Sequence, residues 1–460
     1  MSVTRLTSTS PQDPTDVVVE FAAVTPAQVA PRVDAARAAQ RAWVATPAPA
    51  RARALHDMAS QVEAHADDLT ALMVREVGKP VTEARGETAR SVAILRYYAQ
   101  QVLDPDGETL PSSDGRSLLM ARRVPHGLAG LITPWNFPAA IPLWKAAPAL
   151  AYGNAVLLKP APPGTAVAQL LEEIFQDALP AGLFQVLPGA AETAQAIIEH
   201  ADVVSFTGSV AAGRSVVLAT ARRGIPAQCE MGGHNASIVL PDADIDRAAA
   251  TIADAAMGYA GQKCTATSRV IVVGDRRAFE EALVSAVEAL TVGDPARDDV
   301  RVGPVIAESA REAVLGAVDA VRRSGGSVLS GGSRLDRAGH FVSPTIVSGI
   351  APDHPVAQTE VFGPLCAMFE VPDVDAAVAL ANGTPYGLAA AVFTRDLDVA
   401  LRAADTLDAG LVRVNAATSG VDFYAPFGGE KASSYGPREQ GKAARDFYTR
   451  SRTITVSPCG

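Results

Sequence analysis

The stretch GNAVLLKPAPPGTAVAQLLEEIFQDALPAGLFQVLPG, residues 153–189, decides the fold. Ala155 to Leu158 is an apolar run short enough for a buried strand, closed by Lys159-Pro160. Thr165 stands where a helix would start and is a candidate cap; Val167, Leu170, Leu171 and Ile174 then form one apolar stripe. A second short apolar run follows, Phe184 to Leu187. The same unit occurs around Leu131-Ile132 and Val203 to Phe206. Strand–helix alternation at this spacing predicts an α/β fold with a parallel sheet covered on both faces. Such sheets bind ligands at the carboxyl ends of their strands.

Upstream, Val29, Val33, Ala36 and Trp43 share one helical face, and Leu55, Met58, Val62, Leu69 and Leu72 continue the period in a second helical segment. Gly78 and Pro80 form a stop signal, so the first hundred residues are expected to be mainly helical. Met1 to Asp16 is polar, without the apolar stretch of a secretory signal, and is expected to be a frayed arm. Downstream, a second alternating region starts near Ala236 to Leu240 and runs past residue 410. The pair Gly232-Gly233 marks the expected domain boundary, as a hinge.

A chain of 460 residues suits two or three domains. With 48% hydrophobic and 20% charged residues it has the composition of an ordinary globular protein. The net charge of -10 argues against a nucleic-acid surface, which needs clustered Lys and Arg. Gly127 to Leu158 is apolar, but Pro134, Pro138, Pro142, Pro148 and Lys145 interrupt it, so no membrane span is expected and the cytoplasm is the expected location. The four cysteines, Cys229, Cys264, Cys366 and Cys459, form no CxxC pair, and the seven histidines show no ligand spacing, so no disulfide and no metal are expected.

Four short segments carry candidate chemistry. Cys264, in Gly261-Gln262-Lys263-Cys264-Thr265, is a nucleophile only if a base, an oxyanion donor and an electron acceptor lie near; alone it would be a buried structural thiol. Glu230 sits between apolar residues and a glycine pair, where burial would raise its pKa and suit it to general-base work; an exposed acid at a strand end is the bland alternative. Asn136, in the apolar turn Thr133-Pro134-Trp135-Asn136-Phe137-Pro138, has an amide that can donate to an oxyanion, or that simply forms the turn. Ser205 to Gly213 follows a strand and opens a helix, a geometry that offers N–H groups to a phosphate, although it is not the GxGxxG fingerprint.

Together these segments resemble the aldehyde dehydrogenase superfamily, from about residue 27 to residue 456. Lys159-Pro160, Phe206 to Ser209, Glu230 to Gly233, Gly261 to Cys264, Glu360 to Pro364 and Pro426 to Gly429 all fall in the family's order. Glu230 and Cys264 stand 34 residues apart (264 minus 230), as the family expects. The resemblance implies that the Cys264 thiolate attacks an aldehyde to give a thiohemiacetal, with Asn136 and the Cys264 N–H holding the oxyanion. Hydride loss to NAD or NADP leaves a thioester, which Glu230-activated water hydrolyses. Branches that acylate coenzyme A often lack the glutamate, so hydrolysis is expected; a coenzyme A-acylating enzyme and a non-catalytic nucleotide-binding relative are the alternatives.

The resemblance also implies supporting roles. Lys145 lies close to the reacting centre, while Glu360 and Phe362 position the nicotinamide ribose and ring. Ile132, Thr133, Pro134, Trp135, Lys159, Pro162 and Gly189 belong to the cofactor site, with Phe206, Thr207, Gly208, Ser209, Gly213, Met231 and Gly232. Trp144, Lys263, Thr265 and Phe427 belong to the aldehyde channel. NAD-preferring relatives usually place a glutamate where this chain has Pro162, so NADP is expected to be accepted at least as well as NAD, paired with Lys159.

Ser433 to Gly441 and Phe447 to Thr449 resemble the α-ketoglutarate semialdehyde dehydrogenase branch, although His234 stands where a lysine is usual and Cys229 also departs. An acidic semialdehyde needs a cation in the channel, for which Lys263 is a candidate unless it points into solvent. Cys229 is expected on the face opposite Glu230. The implied architecture is a Rossmann-like cofactor domain (1–105 and 126–231), a catalytic α/β domain (232–430) and a β oligomerisation arm (106–125 and 446–460). Such an arm cannot bury its own face, so a homodimer or homotetramer is expected.

Overall fold

The computed structural model describes residues 4–459. Two large sheets organise it. The first has six strands in the order Ser434–Tyr435, Ala227–Glu230, Val203–Thr207, Leu128–Ile132, Ala155–Lys159, Phe184–Val186, all parallel except Ser434–Tyr435. Strand order reverses on either side of Leu128–Ile132, which places a crevice at the carboxyl ends of this strand and its neighbours. The second has seven strands, ordered Ser327–Ser330, Thr345–Ser348, Leu365–Val371, Thr267–Val273, Asn235–Val239, Ala389–Phe393, Leu411–Val414; only Ser327–Ser330 runs antiparallel. A separate three-stranded antiparallel sheet joins Gly107–Leu110, Leu118–Pro125 and Thr449–Val456.

The chain leaves the first sheet at Glu230 and enters the second at Asn235, so Gly232-Gly233 does lie between them. Close approach, not hinge freedom, is what requires glycine there. A Cβ on Gly232 would lie 2.1 Å from the Glu360 carboxylate, and one on Gly233 would lie 2.5 Å from the Cys264 carbonyl oxygen.

Val29, Val33, Ala36 and Trp43 are buried along helix Pro26–Ala45, as their period predicts. The second periodic segment is two helices, Ala48–Ala64 and Ala66–Val77, broken at His65. The N-terminal arm is a correction: Arg5–Ser10 pairs with Asp13–Ala22 as an antiparallel hairpin. Its β-branched run Val17-Val18-Val19 supplies strand propensity, and Arg75 ties it down through an ion pair to Asp16 at 2.6 Å. Among the described residues no helix is long and apolar enough to cross a membrane, and no group of His, Cys, Asp or Glu is placed to hold a metal.

Thr165 does not cap its helix; it is the first helical residue, and its hydroxyl donates to the Ala161 carbonyl at 3.3 Å. The cap comes from Glu76, whose buried carboxylate accepts the Ala166 and Val167 N–H groups at 2.9 and 3.0 Å. Burial pushes the Glu76 carboxyl from 4.5 up to about 7, against those hydrogen bonds. A folded pKa above the unfolded value means stability fully present at low pH and lost as pH rises from about 4.5 through about 7. The Tm of the wild type relative to Glu76→Gln should therefore fall as pH is raised across that window. Identical pH dependence in the two proteins would contradict this assignment.

Candidate active site

Cys264 follows a turn of left-handed backbone. Tyr259 and Ala260 both have φ of 54° and Gly261 has φ of 67°. Two non-glycine residues in this region cost on the order of 1–3 kcal/mol each, so surrounding contacts must over-determine the turn. Gln262 does much of this: its amide donates to the carbonyls of Tyr259 and Pro304 at 3.3 and 3.2 Å and accepts from the Ile306 N–H at 2.8 Å. Tyr259 donates its hydroxyl to the Val77 carbonyl at 3.2 Å. On the far side, the Asn235 amide donates to the carbonyls of Cys264 and Ala266, both at 2.8 Å, and accepts from the Ala389 N–H. The result is a half-buried thiol on a rigid loop between the sheets.

Asn136 is brought to the same loop. One N–H of its buried amide donates to the Gln262 carbonyl at 3.0 Å, leaving the second available beside Cys264. Trp144 and Phe427, with ring centroids 6.0 Å apart, stand beside them, and Cys264 packs against Phe427, Leu388 and Val421. Thr265 is buried directly after the nucleophile.

Glu230 ends its strand with its carboxylate buried, accepting from the Ser434 hydroxyl at 2.5 Å and the Gln228 amide at 3.0 Å. Burial raises its pKa well above the carboxylate range and nearby Glu439 adds to the rise, while Ser434, Lys145 and Gln228 oppose it. Cys229 faces the other way, packed with Phe206, Val216 and Met231, as strand alternation requires. Burial pushes the Cys264 thiol up, and Glu360, Glu230 and Glu439 push it further; its own backbone N–H favours the thiolate.

Lys145 is buried and donates to Glu439 at 2.6 Å and to the Ser205 hydroxyl at 2.8 Å. Ser205 donates to Gln228, which donates to Glu230, so a continuous hydrogen-bonded chain joins Lys145 to Glu230. Glu439, Gln228, Asn235 and Gln262 were missed by sequence reasoning. Each is a buried polar residue with at least one partner more than twenty residues away in the chain, which no local pattern marks.

A cleft of about 450 Å³ opens at the carboxyl ends of the first sheet. Ile132, Thr133, Pro134, Trp135, Lys159, Pro162, Phe206, Thr207, Gly208 and Ser209 all line it. Helix Val210–Arg223 aims its N-terminus there, with Ser209 accepting the Ala212 N–H at 3.3 Å. The hydroxyls of Thr133 and Thr207 are buried without a protein partner, and Lys159 is the single charged side chain in the lining. An N-terminal helix dipole, orphaned hydroxyls and one cation fit a dinucleotide.

Gly213 and Met231 lie behind this cleft, in contact with each other: a Cβ on Gly213 would fall 2.4 Å from the Met231 sulfur. Gly189 accepts from Lys159 Nζ at 3.2 Å. Gly232 leaves room for Glu360, whose carboxyl burial raises to about 7 and which accepts the Gly233 N–H at 3.2 Å. Phe362 meets Trp135 edge to face at 5.7 Å, bringing the two sheets' contributions together. Lys263 corrects an expectation: it neither lines the channel as a free cation nor points into solvent, but donates to Glu83 at 2.8 Å. His234 is buried and hydrogen-bonded to the Val356 carbonyl, and burial depresses its pKa to about 3, so it is neutral.

Comparison with known proteins agrees with this geometry. The chain matches the aldehyde dehydrogenase family over residues 2–454. It is 40% identical to the α-ketoglutaric semialdehyde dehydrogenase of Bacillus subtilis (strain 168), covering 98% of this chain and 94% of that protein. The crystal structure of an NAD-dependent aldehyde dehydrogenase from Sinorhizobium meliloti superposes with a TM-score of 0.95 at 33% identity, covering 99% of this chain and 93% of that one. An Escherichia coli NADP-dependent enzyme gives 0.95 at 33% identity, covering 99% and 95%. The chain belongs to the aldehyde dehydrogenase family and is an NAD(P)-dependent aldehyde dehydrogenase.

Proposed function

We propose that the protein oxidises an acidic semialdehyde to a dicarboxylate, releasing the product by hydrolysis. The observation that carries the hydrolytic reading is Glu230, a buried, pKa-raised carboxylate close enough to perturb Cys264. Cys264 releases its proton to solvent, and the thiolate attacks the aldehyde carbon. Asn136 Nδ2 and the Cys264 N–H hold the oxyanion of the resulting thiohemiacetal. When bound, the nicotinamide dinucleotide supplies the hydride acceptor that allows this adduct to become a thioester. Glu230 then takes a proton from water, and the hydroxide attacks the thioester carbon and expels the Cys264 thiolate. Lys145 counters the negative charge of Glu439 and favours the ionised form of Glu230.

The acidic substrate is supported by the name of the Bacillus subtilis relative and by the C-terminal motif. Gly107–Leu110, Leu118–Pro125 and Thr449–Val456 leave Leu110, Leu118 and Val456 exposed, which supports an arm that joins copies of this chain in a dimer or tetramer. The two sheets support a cofactor domain ending near residue 231 and a catalytic domain beginning near residue 232.

Cys264→Ala should abolish aldehyde-dependent reduction of the nicotinamide, read by its absorbance. Glu230→Gln should lower steady-state kcat by about 10²- to 10⁴-fold yet keep a first-turnover burst of reduced cofactor. Loss of the burst together with turnover would place Glu230 before, not after, hydride transfer.

For the cofactor, the lining lacks any carboxylate among the described residues, and Lys159 is available to a 2′-phosphate. Burial lowers the Lys159 pKa to about 8, so the ammonium is charged below that value and neutral above it. NADP affinity should weaken relative to NAD as pH rises through about 8. Pro162→Glu should shift the kcat/KM ratio towards NAD. A clear NAD preference in the wild type, or a pH-independent ratio of the two dissociation constants, would contradict the assignment.

A further inference from the structure

The acids around Cys264 pose a problem for an acidic substrate. Glu230, Glu360 and Glu439 all bear on the nucleophile, and each raises its pKa. Nearby cations are already committed among the described residues. Lys79 pairs with Glu87, Lys145 with Glu439 and Lys263 with Glu83. Arg413 donates to the carbonyls of Ser419 and Gly420.

Arg90 is different. It lies on helix Val81–Gln101, where positions 83, 87, 90, 94 and 97 share one stripe. Contacts along that stripe fix which way it faces. Glu83 meets Lys263, next to the nucleophile, and Glu87 accepts the N–H groups of Ala139 and Ala140, just beyond Asn136 and Phe137. At the other end Tyr97 packs edge to face on Phe423 at 5.8 Å. Arg90 lies between these contacts, about two turns from each end. It therefore faces the side on which the Cys264 loop, the Asn136 turn and residues 421–423 lie. Val421 packs in the cluster that includes Cys264 and Phe427, so that last segment borders the nucleophile itself.

Among the described residues the Arg90 guanidinium, half-buried, is engaged by no side-chain hydrogen bond; burial lowers its pKa, Asp422 and Glu87 favour its charge, and Arg413 opposes it. Two guanidiniums that feel one another on this side of the helix, one of them without such a partner, suit an anion.

We infer that Arg90 binds the distal carboxylate of the semialdehyde and sets the preference for an acidic substrate, with Arg413 adding positive potential behind it. The inference rests on the acidic-semialdehyde reading above. A carboxylate reaching Arg90 gains a forked pair of charge-assisted hydrogen bonds, and those bonds orient the aldehyde end towards Cys264.

The test is the ratio of kcat/KM for α-ketoglutarate semialdehyde to that for pentanal, in the wild type, Arg90→Met and Arg90→Lys. A ratio is independent of how much of a variant folds. The wild type should favour the acid, and Arg90→Met should lower the ratio by about 10- to 100-fold, mainly through KM for the acid. Arg90→Lys should recover part of it, since an ammonium keeps the charge but not the fork. A wild type without acid preference would overturn the substrate reading and this inference with it. A wild type that prefers the acid while Arg90→Met keeps the same ratio would overturn only the role of Arg90.

Discussion

Lys79, with no exposed surface, lies 3.8 Å from the centre of the Phe137 ring and 4.7 Å from that of Tyr259, and pairs with Glu87. The second carboxylate oxygen of Glu87 accepts the N–H groups of Ala139 and Ala140, both at 2.9 Å. One ion pair thus ties together three parts that are far apart in the chain. Phe137 adjoins Asn136, which is bonded to the Cys264 loop. Ala140 begins the helix that carries Trp144 and Lys145. Tyr259 belongs to the left-handed turn that lifts Cys264. Burial alone disfavours the Lys79 charge, so the pair survives only because Glu87 and two aromatic faces surround it. Removing either partner would strand the other, at a cost of roughly 3–5 kcal/mol. The register between the Cys264 loop and the Asn136 turn depends on that arrangement.

The centre itself is arranged around negative charge. Three carboxylates bear on Cys264, and burial raises the pKa of each of them. A thiol in such surroundings is protonated at rest, which spares it from indiscriminate oxidation and alkylation. It also makes release of the Cys264 proton part of every turnover, a step that precedes the activation of water for which the raised Glu230 carboxylate is suited. Hydrogen bonds from Ser434 and Gln228 keep that carboxylate in place, and the chain through Ser205 reaches Lys145.

Sequence patterns reached far into this structure where the physics is local. Periodicity located the buried faces of the first helix and the strands of the first sheet, and motif order singled out Cys264, Glu230 and Asn136, which the fold brings to one region. It failed where the partner is remote. Glu76 caps a helix 90 residues away, and Lys145 meets Glu439 across 294 residues. Thr165, the local choice of cap, lost to that remote carboxylate. Lys263 was a reasonable cation for an acidic substrate until Glu83, 180 residues earlier, was placed beside it. Arg90 carries no motif, and only the contacts at either end of its helix show which way it faces. The N-terminal hairpin was the avoidable miss, since the β-branched run Val17 to Val19 already favours a strand.

The covalent role of Cys264 is tested most directly by mass spectrometry of enzyme quenched in acid during turnover with a semialdehyde and NADP. Cys264 should carry the substrate's acyl group as a thioester, accumulating in Glu230→Gln and clearing quickly in the wild type without coenzyme A. Continued reduction of cofactor by Glu230→Gln with Cys264 unmodified would contradict the mechanism. So would an adduct that the wild type clears only when coenzyme A is added.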